Sequence, residues 1–207
     1  MSKSKKNYPD PTQIAKDYGA DACRLYLCNS PVVRAESLQF KEEGVKGVVR
    51  EIFLPWFNAY RFLIQNISRY EMDTNQSFFY DPELKNHFDA EKDNLMDRWI
   101  VSANQRLIKL VRHEMDNYKL YNVVRPLLTF LEQLTNWYVR LNRPRMKGEE
   151  GLAEQQKSLN ILFDVLLNTC VLMSCITPFI TEHMYQNLKN GIKPEFENIH
   201  QDSIHFL

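Results

Sequence analysis

Residues 45–67 read VKGVVREIFLPWFNAYRFLIQNI. Val45, Val48, Val49, Ile52, Phe53, Trp56, Phe57, Tyr60, Leu63, Ile64 and Ile67 recur three and four apart. That spacing puts side chains on one face of an α-helix. The stretch therefore predicts one long helix whose apolar stripe needs partners. Pro55 falls inside the pattern and predicts a kink, because proline lacks the N–H and its ring meets the carbonyl four residues back.

Partners are found on the C-terminal side. A polar run over 70–93 reads as a long connection. A second helix is predicted from Asp93 or Asn94, with Trp99, Ala103, Leu107, Leu110, Val111 and Tyr118 as its stripe. A third begins near Asn122, with Pro126 in its first turn and Val124, Leu127, Leu131, Leu134, Tyr138 and Leu141 facing inward. The run NRPRMKGEEG, 142–151, ends it, and a fourth spans roughly 153–174. Pro178 restarts it, Gly191 stops it, and 192–207 reads as an extended tail. On the N-terminal side, Asp10, Pro11 and Gln13 form a helix-start signal, and Gly19 stops that helix. A second short piece runs from Ala20 to Ser30-Pro31, and 31–40 is predicted to be extended. The expectation is an all-α chain, an antiparallel helix bundle preceded by a short connecting segment. Its parts divide as 1–44, 45–191 and 192–207, without solenoid repeats.

Composition narrows the function. Lys plus Arg equals Asp plus Glu at 26 each, so no global basic field draws nucleic acid, and any such binding needs a local patch. Only 6 glycines occur, which disfavours turn-rich β folds. The four cysteines, Cys23, Cys28, Cys170 and Cys175, lack zinc spacing and read as reduced core residues. His200 and His205 have no ligand partners, so no metal is expected. The apolar stretch 161–180 carries Asp164 and Asn168. An acid at the centre of a membrane span costs about 2.5–3.5 kcal/mol, so a buried bundle helix is the better reading. The aromatic residues Trp56 and Trp99 read as core.

The opening MSKSKKNYPDP, 1–11, suits a mobile loop that meets phosphates, since lysine ammonium groups neutralise charge growing on a leaving pyrophosphate. It resembles the Lys-Met-Ser-Lys-Ser signature of class I aminoacyl-tRNA synthetases without its first lysine. YGADACRLYLCNSPVVRAESLQFKEEGV, LPWFNAYRFLIQN, LTNWYVRLNRPRMKG and TPFITEHMYQNL follow in the order of that group. The whole is similar to the eukaryotic cytosolic isoleucyl type. The resemblance implies an ATP-dependent ligase that makes an aminoacyl adenylate and passes the acyl group to tRNA. It implies that Lys3 touches the phosphates of Mg-ATP in the full enzyme, with Ser2 and Ser4 flanking it as catalytic-loop residues. It implies a fragment, inactive alone and binding no cofactor, whose own catalytic and editing domains lie upstream. The implied location is cytoplasmic, without membrane or DNA. Valyl- and leucyl-type synthetases share the architecture, and a non-catalytic helical scaffold that binds protein is the rival of another class.

The helical remainder resembles the anticodon-binding bundle of that family, with tRNA as its partner. Arg140, Arg143, Arg145 and Lys147 put four cations into 140–147, with Trp137 and Asn142 alongside. Cations and aromatic planes are what phosphates and unstacked loop bases require. Pro144 stands where the family commonly carries a further basic residue. Arg106, Lys109 and Arg112 form a second stripe, whose simpler reading is a solvated face.

Overall fold

The computed structural model describes residues 10–85 and 94–192. Among these residues the chain is built of helices, and the lone β-type pairing is a bridge between Tyr80 and Ile192. Helix α1 (Pro11–Tyr18) starts as its sequence demands: the Asp10 carboxylate accepts the Thr12 N–H at 2.9 Å, and Gly19 ends it at φ 85°. Gln13 does not close a capping box; its amide donates to Asp17 instead.

Helix α2 (Ala20–Cys28) ties this segment to the end of the bundle. Asp21 accepts the N–H of Ile180 at 2.8 Å, in the first turn of α9 (Pro178–Lys189). Arg24 donates to the carbonyls of Cys175 and Ile176. Burial pushes the Asp21 carboxyl up, against the lowering effect of the α9 amides and Arg24. Residues 31–40 depart from the extended prediction. Pro31–Arg34 form a 3₁₀ turn capped by the Ser30 hydroxyl on the Val32 N–H. Proline restricts the residue before it, and Ser30 is indeed extended; the ring of a proline itself fixes a φ that suits the start of a helical turn.

The long apolar stripe becomes α3 (Glu42–Val48), a π turn (Val49–Phe53) and α4 (Leu54–Thr74). Pro55 does not break the helix. The turn before it widens, and the Leu54 N–H reaches five residues back to Val49. Val45, Trp56 and Leu63 are fully buried along this stripe.

The predicted connection 70–93 is more structured than expected. Helix continues to Thr74, and the residues after it dock on α8 (Leu152–Met173). Tyr80 stacks on Phe163 with centroids 4.7 Å apart and donates its hydroxyl to Asp164. Asn160 bonds the backbone of Asp81 both ways, at 2.7 and 2.8 Å. Residues 86–93 of that connection, and the tail 193–207, lie outside the described residues.

Helix α5 (Leu95–Asp116) is capped by Asn94 and packs on both α6 (Leu120–Glu132) and α8. Tyr118, predicted on the α5 stripe, is 95% exposed, because α5 stops at Asn117 and Tyr118 takes φ 58° in the turn. Leu110 of the same stripe is also exposed. Helix α6 begins two residues earlier than predicted, so Pro126 sits inside it rather than in its first turn. A second π turn, Gln133–Val139, extends α6, and α7 (Arg143–Met146) follows as one short turn. α8 runs through the centre against α4, α5, α7 and α9. It is buried over most of its length, and no described helix is long and apolar enough to cross a membrane. Of the cysteines, Cys170 is core, Cys23 and Cys28 are half-buried, and Cys175 is exposed.

Candidate nucleic-acid interface

The signature residues Ser2, Lys3 and Ser4 lie outside the described residues. The cationic run lies within them, and the structure splits it in two. The π turn after α6 sets the division. Its wider winding favours burial of every fourth residue, so the inward line runs Leu134, Tyr138, Asn142. Leu141, predicted inward, is 58% exposed for the same reason. Trp137 is also 58% exposed, so it is not a core residue.

Arg145 and Asn142 correct the expectation that they face RNA. Arg145 is 2% exposed and committed inside the protein. It donates from Nη2 to Asp97 Oδ2 at 2.6 Å, from Nε to Glu154 Oε2 at 2.7 Å and from Nη1 to Asn142 Oδ1 at 3.4 Å. Tyr138 donates its hydroxyl to the other Asp97 oxygen at 2.7 Å, and Asn142 donates to the Tyr138 carbonyl. Burial works against the Arg145 charge, but the bond and attraction to Asp97 outweigh it and hold the guanidinium above its ordinary value. Burial and the Asp97 charge push the Tyr138 phenol well up, so it stays protonated as a donor. This network joins α5, the second π turn, α7 and α8.

Arg140, Arg143 and Lys147 are exposed and form no ion pair among the described residues. Pro144 sits in the first turn of α7, where its missing N–H costs nothing. Arg143 edges a groove of about 480 Å3 between α4 and the π turn. From α4 this groove receives Asn58, Arg61 and Gln65, all exposed and spaced to share one helix face. From the π turn it receives Thr135 and Asn136. Its floor is apolar, with Ala59, Phe62 and Val139. Two guanidinium groups and three amides around an open, shallow floor can hold phosphates and the edges of unstacked bases. A larger groove of about 840 Å3, between the α2–α3 side and α6, suits this chemistry less, since Glu43, Glu51 and Glu132 edge it.

Sequence reasoning missed Asn58, Arg61 and Gln65. Their one signal was a polar line opposite the apolar stripe of α4, which reads equally as solvated surface. Arg106, Lys109 and Arg112 are exposed along α5, away from this groove. No group of His, Cys, Asp and Glu among the described residues is arranged to hold a metal.

Comparison with known proteins converges on one family. Residues 97–206 match the model described as the anticodon-binding domain of tRNA ligase. Residues 1–39 match that of class I tRNA synthetases for I, L, M and V. The chain is 55% identical to the isoleucine–tRNA ligase of Tetrahymena thermophila, over 100% of this chain and 19% of that protein. It is 52% identical to the cytoplasmic isoleucine–tRNA ligase of Mus musculus, over 100% of this chain and 16% of that one. The chain thus spans about a fifth of the length of the curated relatives it matches. In fold it resembles methionyl-tRNA synthetase of Mycobacterium tuberculosis bound by methionyl-adenylate, with TM-score 0.69 and 17% identity, covering 95% of this chain and 37% of that one. A leucyl synthetase–tRNA complex from Agrobacterium radiobacter K84 gives TM-score 0.57 and 17% identity, over 91% and 20%. The curated matches favour the isoleucyl type over its valyl and leucyl rivals and over a protein-binding scaffold.

Proposed function

The chain belongs to the anticodon-binding domain family of tRNA ligases, and from that premise we propose that it is the tRNA-binding part of an isoleucine–tRNA ligase. In the proposed reaction isoleucine attacks the α-phosphate of ATP, giving isoleucyl-adenylate and pyrophosphate, and the acyl group then passes to the terminal ribose of its tRNA. Lys3, between Ser2 and Ser4, is assigned to the ATP phosphates in the full enzyme, where its ammonium would offset charge on the leaving pyrophosphate. The cytoplasm is the proposed location, after the relatives named cytoplasmic.

The observation that carries the RNA reading is the groove between α4 and the π turn. Arg61 and Arg143 edge it with Asn58, Gln65 and Asn136 between them, in a chain whose formal net charge is zero. With no global field to collect cations, two guanidinium groups without a described ion pair at one groove favour an anionic partner. The amides can read the edges of splayed anticodon-loop bases while the arginines hold the backbone. Arg140 and Lys147 extend the cationic rim, and Trp137 stands beside it. Arg145 is left out, because its charge is spent on Asp97 and Glu154.

The test is equilibrium binding of an isoleucine tRNA at several salt concentrations. Both arginines are exposed, so an Arg61→Ala/Arg143→Ala variant keeps its fold. It is expected to bind more weakly, with a salt dependence shallower by about one unit of slope per cation. A folded variant with the parent's affinity and slope would overturn the assignment.

A further inference from the structure

Helix α2 meets the turn between α8 and α9 along one line. Asp21 accepts the Ile180 N–H at 2.8 Å, and Arg24 donates to the carbonyls of Ile176 and Cys175 at 2.9 and 3.0 Å. As α2 advances from 21 to 24, its partners fall from 180 to 175. At about 100° per residue, Asp21, Arg24 and Cys28 share about 60° of helix arc, so Cys28 carries the line one turn onward. Cys175 lies in the turn itself and is exposed. Its thiol leans toward the Leu172 carbonyl at 3.8 Å, the way the line runs. We propose that Cys28 and Cys175 form a paired thiol site, which a small disulfide such as oxidised glutathione closes into a cross-link between α2 and the α8–α9 turn.

The other cysteines do not fit the pairing. Cys23 sits about 140° round α2 from Cys28, on another face. Cys170 is buried in the core with its sulfur 3.8 Å from Met184 Sδ. Burial pushes the Cys28 and Cys175 thiols up, and the Arg24 guanidinium beside them pulls both part of the way back. Cys28 adds to the upward push on Cys175, as a neighbouring sulfur does. The pair therefore rests as thiols, and the arginine favours the thiolate that attacks a disulfide.

Exposure assigns the two roles. Cys175 attacks one sulfur of oxidised glutathione, the glutathione S–S bond breaks, and one glutathione leaves as a thiol. The half-buried Cys28 then attacks the Cys175 sulfur of the mixed disulfide, the Cys28–Cys175 bond forms, and the second glutathione leaves. The two protein thiols give up two electrons and two protons, which the two released glutathione thiols carry away. The cross-link closes most of the chain into one loop, so it restricts the unfolded state and stabilises the folded one. It also fastens the segment that follows residues 1–9 to the bundle, where Asp21 and Arg24 already hold it by hydrogen bonds.

The test is incubation of the chain with oxidised glutathione, followed by mass mapping of unreduced peptides. The parent is expected to show a Cys28–Cys175 cross-link within one chain and no retained glutathione. Its thermal unfolding midpoint should rise and return to the starting value with dithiothreitol. Cys28→Ser should keep glutathione on Cys175, because no second thiol displaces it, and Cys23→Ser should cross-link like the parent. Cys175→Ala, at an exposed position, keeps the fold whatever Cys28→Ser does and should carry neither the cross-link nor glutathione on Cys28. Glutathione held on Cys175 of the parent as fully as in Cys28→Ser would overturn the proposal. So would a cross-link to Cys23 or to a second chain, or a Cys175 that stays a free thiol.

Discussion

Arg145 sits in a short cationic run, at 2% exposure, with Asp97, Glu154 and Asn142 answering three of its nitrogens. Moving such a charge out of water costs several kcal/mol, which only this density of partners offsets. Removing one member should therefore cost far more than replacing the pair. Arg145→Ala leaves Asp97 buried and uncompensated and should destabilise the chain by about 3–5 kcal/mol. Arg145→Met with Asp97→Asn removes both charges, keeps volume and leaves an acceptor for Tyr138, so it should cost much less. Chemical denaturation compares the two; equal losses would show that the network is not coupled. The split of the cationic run was partly legible beforehand. Arg143 and Arg145 lie two apart, about 200° round a helix, so they cannot share a face. Which of them turned inward was not legible, because it depends on Asp97, some fifty positions away. Leu141 was misplaced for a local reason: the π turn shifts the buried line to Asn142 and leaves Trp137 and Leu141 outside.

Helices in this chain accommodate proline in two ways. Before Pro55 the turn opens to π geometry, whereas α6 carries Pro126 in the interior of a continuous α-helix. Periodicity located α3–α4 well, because the apolar stripe is set by burial and persists through such a turn. It could not show the π turns, which depend on which carbonyls remain free to accept. Glycine makes the element-scale test. Gly44 and Gly47 both lie in α3, yet a Cβ at Gly44 would overlap the Tyr26 ring, while at Gly47 it meets nothing. The Tyr26 ring is held edge-on against Phe40 with centroids 5.2 Å apart, so it cannot yield freely. Gly47→Ala should stabilise the chain by about 0.5–1 kcal/mol through reduced backbone freedom in the unfolded state. Gly44→Ala should destabilise it by about 1–3 kcal/mol through overpacking. Thermal unfolding of the two variants gives the signs, and stabilisation by both would refute the close packing of α2 on α3.

At the scale of the whole molecule, the bundle was legible because each long helix carries a single apolar stripe. α8 was legible for a different reason: over 161–173 it is apolar almost all round, as a central helix must be. The docking of 75–85 was not, since six of its eleven residues are polar or charged while two aromatic residues, Phe78 and Tyr80, decide its place. The candidate interface was half legible for the same kind of reason. Its π-turn side is contiguous in sequence, whereas Asn58, Arg61 and Gln65 arrive from a helix some seventy residues earlier and meet Arg143 only in the fold. The account requires that this assembled face hold the anticodon arm. Hydroxyl-radical footprinting of an isoleucine tRNA saturated with the chain tests this most directly. Protection should cover the anticodon loop and its flanking stem, and should fade there in the Arg61→Ala/Arg143→Ala variant. Protection confined to the acceptor arm, unchanged in that variant, would contradict it.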